Sequence, residues 1–137
     1  MPTTFRCTLV TPERQVLDED VLYASIPAHD GQLGVQSRRA PLVAKLADGA
    51  LRVDFASGGS RWFFLGGGFA QMRENKLVLL SEEALAAEEI VRQEAEQAMK
   101  DALALRGASD EAVQQRDRKL ARARCLLALL RRQGAGK

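Results

Sequence analysis

The feature that most constrains this chain is an abrupt change of pattern near residue 81. Before it, short apolar runs alternate with glycine- and proline-bearing turns. After it, residues 82–106 contain neither glycine nor proline, and Ala and Glu dominate. A period-two pattern cannot settle as a helix, and a Gly/Pro-free Ala/Glu segment does not favour a strand, so the chain requires two unlike parts. Eight of the eleven glycines lie between Gly31 and Gly68. Phe5-Arg6-Cys7-Thr8-Leu9 and Leu51-Arg52-Val53-Asp54-Phe55 alternate with period two, while residues 21–26 and 77–80 are β-rich runs. Thr11-Pro12-Glu13-Arg14, Asp30-Gly31, Ser57-Gly58-Gly59-Ser60 and Glu74-Asn75-Lys76 supply turn chemistry between them. Strands this short are unstable singly, and closing two sheets face to face is the physical solution.

The second part reads as helical. Ser81 is the expected N-cap of a helix over 82–106, with Glu82 and Glu83 at its positive end. Glu88/Arg92 and Glu96/Lys100 are expected i,i+4 pairs, and Gly107 an expected C-cap. Ser109 or Asp110 then caps a second helix running to about residue 133, with a heptad-like seam of Val113, Leu120, Ala123, Leu127 and Leu130. Ala84, Ala87, Ala95, Ala98 and Ala102 form the small-residue face of the first helix, and residues 134–137 read as a frayed tail. The fold class is therefore α+β: an antiparallel β-sandwich over 1–84, then an antiparallel two-helix hairpin over 85–137.

Charge separates the parts further. Residues 1–81 are net +1, residues 82–106 net −4 and residues 107–137 net +5, beneath a total of +2. The basic run Arg116, Arg118, Lys119, Arg122, Arg124, Arg131 and Arg132 is the most unusual feature. It reads either as a solvated helix face or as a surface for an acidic partner, the acidic first helix included. Membrane surface and nucleic acid stay open at this point. The small overall charge and 5% aromatic content do not mark a nucleic-acid binder.

Catalytic and metal chemistry find little support. One histidine excludes a multi-His metal site within the chain. Gly66-Gly67-Gly68 lacks the Gly-Lys-Ser/Thr ending of a phosphate loop and reads as tight packing or a bulge next to Phe69. Asp18-Glu19-Asp20 lacks a calcium-loop spacing and reads as a solvated turn. His29-Asp30 has no nucleophile motif beside it and reads as a turn. Cys7 and Cys125 cannot form a disulfide framework and fit a reducing compartment. The longest uncharged apolar run, residues 62–70, is less than half the ~20 residues a spanning helix needs. The first residues show no leader pattern, so the expected mature chain begins near Met1 and stays on the side where it is made.

Several blocks together carry a family resemblance. They are Phe5, then Leu9-Val10-Thr11-Pro12-Glu13-Arg14; Ile26-Pro27-Ala28-His29-Asp30-Gly31-Gln32-Leu33-Gly34-Val35; Ala40-Pro41-Leu42; Leu46-Ala47-Asp48-Gly49; Gly67-Gly68-Phe69-Ala70; and Asn75-Lys76-Leu77-Val78-Leu79-Leu80. In order and spacing over residues 5–84 they resemble the epsilon subunits of F-type ATP synthases, and residues 85–133 match in form. The resemblance implies a non-catalytic rotor-stalk subunit whose sandwich binds the gamma subunit and rests on the polar loops of the membrane c-ring. The helical arm would be able to extend towards the catalytic head and restrain ATP hydrolysis there. It implies a peripheral place at the cytoplasmic face of the bacterial inner membrane, held through the complex, with protons or sodium ions as the coupling ion. No nucleic-acid partner or cofactor is implied beyond ATP as a regulatory ligand in some members.

Carried over residue by residue, His29, Asp30, Gly31, Gln32, Arg38, Arg39, Pro41 and Leu42 would face the c-ring. Gln32 stands where the family often has Glu, and Arg39 where it often has His. Arg116, Arg118, Lys119, Arg122 and Arg124 would face an acidic segment of the beta subunit, with the alpha subunit nearby. Glu89, Arg92 and Arg122 would supply three of four ATP contacts, while Leu126 occupies the fourth, usually arginine, position. The alternative function is a regulatory protein- or RNA-binding module with a basic helical arm. Salt dependence separates these, because nucleic-acid binding falls steeply with salt and apolar docking does not.

Overall fold

The computed structural model describes residues 3–135. Two compact units divide after Ala86. In the first, β1 (Phe5–Val10) buries Phe5, Cys7 and Leu9 and turns Arg6 outward, as the alternation requires. Thr11 closes the turn to β2 (Gln15–Val21): its N–H donates to the Arg14 carbonyl at 2.9 Å, and its hydroxyl accepts from the Arg14 N–H at 3.3 Å.

Asp18, Glu19 and Asp20 lie inside β2 rather than in the expected turn. The register sets Thr8 opposite Asp18 and Arg6 opposite Asp20, so the cross-strand pairs favour a strand. Arg6 Nε donates to Asp18 Oδ1 at 2.7 Å and Thr8 Oγ1 to the same oxygen at 3.1 Å. These bonds, the Arg6 one first, hold the Asp18 carboxyl below the usual carboxylate range. A carboxyl lowered on folding adds stability above its unfolded pKa, about 3.9, and loses it as pH falls through the folded value. Asp18→Asn should therefore lower the urea midpoint at pH 7, and the gap should shrink at pH 3. An equal gap at both pH values would show that the carboxylate charge is not what stabilises this pair.

The run over 21–26 is broken at Leu22, after which β3 (Tyr23–Ala28) begins. It forms a hairpin with β4 (Gly31–Gln36), in which Ala28 faces Gly31 and His29-Asp30 form the two-residue loop. β5 (Leu42–Asp54) and β6 (Ser60–Arg73) then form one long antiparallel pair, from Leu42 opposite Met72 to Asp54 opposite Ser60. Glu74 and Asn75, both at positive φ (52° and 61°), make the tight turn to β7 (Lys76–Leu80). The strand order is β2-β1-β7-β6-β5-β3-β4. Every pairing is antiparallel except β1 with β7, which is parallel.

Both long strands change phase in the same place. β5 buries Leu46, then Leu51 and Val53; β6 buries Phe63 and Leu65, then Ala70 and Met72. The slip falls over residues 46–48, opposite Gly66–Gly68, where Gly67 and Gly68 have φ of 72° and 117°. This bears out the reading of the three glycines as close backbone packing: a Cβ on Gly68 would collide with the Leu80 carbonyl oxygen. The core draws on both ends of these strands, with Phe5, Ile26, Leu51, Phe63, Leu65, Met72, Leu77 and Leu79 fully buried.

The helix expected from residue 82 begins ten residues later. Ala84–Ala86 form β8, which extends the β7 edge along β6 in the register Leu65 opposite Ala84. Ser81 is not an N-cap. Its buried hydroxyl lies within hydrogen-bond reach of the carbonyls of Gly67 (2.7 Å) and Glu83 (2.8 Å), which share its one proton where the chain passes the glycines. Free β6 edge and small alanine side chains outweigh helix propensity here.

In the second unit a 3-10 turn (Ala87–Glu89) precedes α1 (Arg92–Ala104) and α2 (Asp110–Ala135), joined by a five-residue link that makes a hairpin. The expected Glu88/Arg92 pair therefore straddles the turn and the helix. In α1, Arg92 Nη1 lies 4.0 Å from Glu96 Oε1. Ser109 does cap α2, accepting the Ala112 N–H at 3.2 Å. Gly107 is not a C-cap, since α1 ends at Ala104; a Cβ there would lie 2.8 Å from Val113 Cγ2, so the residue serves a close approach. The buried seam of α2 is Leu120, Ala123, Leu126 and Leu129, one residue off the expected Leu127 and Leu130. Val113 is exposed. Among the alanines of the expected small face, Ala95 and Ala102 are buried within α1. The helix reaches Ala135, two residues into the expected tail; Gly136 and Lys137 lie outside the described residues.

Candidate interaction surfaces

The residues expected to face a membrane ring occupy two exposed segments. His29 and Asp30 form the β3–β4 loop, and the His29 N–H donates to the Lys45 carbonyl at 2.8 Å, tying that loop to β5. Gly31 opens β4 with φ of 125°, and Gln32 Nε2 donates to Ser25 Oγ at 2.8 Å. Arg38 and Arg39 follow the far end of β4, so the strand's six residues, about 20 Å, separate them from the loop. Pro41 and Leu42 lead back into β5, three residues short of Lys45. The structure thus links both segments to the start of β5 without merging them into one cluster.

Asn75 organises the Arg38 end, and sequence reading assigned it only to a turn. Its Oδ1 accepts the Arg38 N–H at 2.8 Å and the Ser37 hydroxyl at 3.1 Å, while its Nδ2 donates to the Thr4 carbonyl at 3.0 Å. One side chain so joins three chain segments, and Arg38 is held at φ 66°.

A second surface was also missed. Val43, Phe69 and Leu80 are 73%, 57% and 53% exposed. Register places Lys45, Phe69, Leu80 and Val10 in one row across β5, β6, β7 and β1, with Val43, Gln71, Val78 and Thr8 beside it. An outward apolar strip crosses four strands, bordered by Lys45, Arg73 and Lys76. Clustered apolar exposure of this kind marks an interaction site. The signal lay in the outward phase of the strands, which needs their registers to be seen. On the other part of the sheet, the Arg52 guanidinium sits 5.4 Å from the Tyr23 ring centre and 5.8 Å from that of Trp62, with Nε 3.2 Å from Asp54 Oδ1.

On α2, Arg118, Lys119 and Arg124 are exposed, whereas Arg116 and Arg122 are half-buried. Arg116 Nε donates to the Leu105 carbonyl at 3.1 Å, placing positive charge at the negative end of α1. Arg122 and Lys119 line a groove of about 350 Å³ with Ala98, Asp101, Ala102 and Leu105. Glu89 and Arg92 lie at the other end of α1: six residues, about 9 Å of helix, separate Arg92 from Ala98. Leu126, in the fourth position expected around ATP, is buried.

Elsewhere, burial pushes the Cys7 thiol up to about 12, so it is inert at neutral pH. Neither Cys7 nor Cys125 forms a disulfide. No helix among the described residues is long and apolar enough to cross a membrane.

An apolar strip on the sandwich and exposed basic side chains on α2 are surfaces of the kind that protein partners use. Residues 4–87 match the family model described as the ATP synthase, Delta/Epsilon chain, beta-sandwich domain. The ATP synthase epsilon chain of Rhodopirellula baltica is 36% identical over 88% of this chain and 94% of its own length. The sodium ion specific ATP synthase epsilon chain of Propionigenium modestum is 34% identical over 82% and 85%. A chain in the cryo-EM structure of the Euglena gracilis mitochondrial ATP synthase, OSCP/F1/c-ring, superposes with a TM-score of 0.83 at 26% identity, over 95% of this chain and 83% of that one. A chain from the Tetrahymena thermophila mitochondrial ATP synthase central stalk/c-ring structure, 15% identical with a TM-score of 0.70 over 90% and 93%, shares the fold. The chain belongs to the delta/epsilon family of F-type ATP synthase subunits, as an epsilon chain.

Proposed function

We propose that this chain is a non-catalytic rotor-stalk subunit that couples c-ring rotation to ATP synthesis and restrains ATP hydrolysis through its helical arm. The observation that carries the reading is the exposed strip of Val43, Phe69 and Leu80 on an otherwise well-buried sandwich, a surface suited to a permanent protein partner. In this reading the strip docks on the gamma subunit. His29, Asp30, Gly31, Gln32, Arg38, Arg39, Pro41 and Leu42 contact the polar loops of the c-ring. Exposed Arg118, Lys119 and Arg124 meet acidic groups of the beta subunit, beside alpha; Arg116 and Arg122 join them when the hairpin opens. The chain then sits at the cytoplasmic face of a bacterial inner membrane, attached through the complex. This role does not require ATP as a regulatory ligand, whose fourth contact position is held by the buried Leu126.

The test is titration of the chain into an epsilon-depleted catalytic head that contains gamma, with ATPase activity read in the same tube. One-to-one binding that resists salt, with reduced hydrolysis, is expected. Absence of binding at any salt would overturn the reading, and binding without inhibition would remove the regulatory arm from it.

A further inference from the structure

We infer that β4 is a strand-addition site, whose occupant is an extended segment of a neighbouring subunit in the assembled complex. That segment is acidic where it meets Arg38 and Arg39. The inference rests on the subunit reading above and adds a specific partner chemistry to one edge.

β4 and β2 are the terminal strands of the sheet order. An exposed edge strand normally carries charge, proline or a bulge, because its free backbone groups otherwise recruit another chain. β2 is protected in this way, by Asp18, Glu19, Asp20 and a register shift at Leu9/Val10. β4, Gly-Gln-Leu-Gly-Val-Gln, has no charge and no proline, and its pairing with β3 is uninterrupted from Tyr23–Gln36 to Ala28–Gly31.

The alternation of an antiparallel ladder fixes which groups face outward. Pro27 has no N–H, so its pair with Gln32 is a non-hydrogen-bonded one; Gly31, Leu33 and Val35 exchange bonds with β3. Gln32, Gly34 and Gln36 then direct their N–H and C=O groups away from the sheet. The Gln36 carbonyl accepts the Arg39 N–H at 3.3 Å. What remains is an outward N–H on each of three alternate, exposed residues, with outward carbonyls on Gln32 and Gly34.

Side chains favour the same occupant. Gly34 lacks a Cβ because one would collide with the Tyr23 hydroxyl, so the Tyr23 ring lies over the edge strand and offers an incoming side chain a surface. Arg38 and Arg39, both exposed, stand just beyond one end of β4 and would face an acidic residue on the incoming strand. Strand addition of this kind takes affinity from backbone bonds and register from the flanking side chains.

The test is residue-resolved amide hydrogen exchange of the full chain, alone and in the reconstituted complex. Gln32, Gly34 and Gln36 amides should exchange rapidly in the free chain and slow at least about tenfold on assembly, while Leu33 and Val35 stay protected throughout. Gln36→Pro removes an outward N–H and should weaken binding about tenfold, whereas Gln36→Ala, which keeps it, should bind normally. Binding with unchanged exchange at all three amides would overturn this inference and leave the subunit reading intact. Absence of binding would overturn both. Protection that appears on concentrating the chain alone would assign the edge to a second copy and overturn the proposed occupant.

Discussion

Replacing Gly68 by Ala should destabilise the sandwich by about 4 kcal/mol and lower its melting temperature by roughly 20 °C. Two independent effects act at this position. At φ 117° the backbone is in a region that L side chains rarely adopt. The new Cβ would also overlap the Leu80 carbonyl oxygen, which is backbone and cannot swing aside. Relief would require β7 to part from β6 where Phe69 pairs with Leu80. Gly58→Ala is the matched control: it too has positive φ, 96°, but a Cβ there meets nothing within 4 Å. It should cost only the conformational part, about 1–2 kcal/mol. Thermal unfolding followed by circular dichroism distinguishes them, and equal losses at the two glycines would show that the close approach to Leu80 contributes nothing.

Removing residues 107–137 should raise ATP hydrolysis by the reconstituted complex at least about fivefold while leaving its assembly intact. The two units have separate contact networks, so loss of α2 leaves the sandwich surface in place. The deleted segment holds eight of the chain's twenty basic residues and is net +5, which is the charge an acidic surface would attract. Truncation also exposes the apolar face of α1. A full-length variant with Arg118, Lys119 and Arg124 changed to Glu avoids this, because all three side chains are exposed and the buried seam is untouched. It should raise hydrolysis as truncation does. If truncation activates and the charge reversal does not, the arm acts through its apolar face; if neither activates, it does not inhibit.

The sandwich was legible where alternation was undisturbed. Phe5–Leu9 and Leu51–Val53 appear with the expected faces inward, and Glu74-Asn75 makes the turn its residue types favour. The errors arise where tertiary pairing overrides local preference. Ala84–Ala86 are good helix formers, yet β6 offers them unpaired backbone next to the glycines, so they become a strand. Asp18–Asp20 have turn chemistry, yet Arg6 and Thr8 across the ladder satisfy Asp18 and Asp20. On α2, the seam departs from heptad spacing because Leu126 and Leu129 are buried in place of their neighbours. The sequence pointed to the exposed loops and the basic helix as surfaces by composition. It could not reveal the Val43–Phe69–Leu80 strip, because three residues on three strands become neighbours only through register. Nor could it show that Arg116 is engaged at the end of α1.

The uninterrupted course of β5 and β6 has a mechanical consequence. Stacked sheets ordinarily resist sliding past each other only through interdigitated side chains. Here the same two strands, thirteen and fourteen residues long, contribute to both ends of the core and stay paired through the change of phase. A lateral force on one layer is therefore carried into the other through covalent backbone and ladder bonds. In the proposed rotor-stalk role, this continuity would let the sandwich pass on a sideways load without its layers slipping.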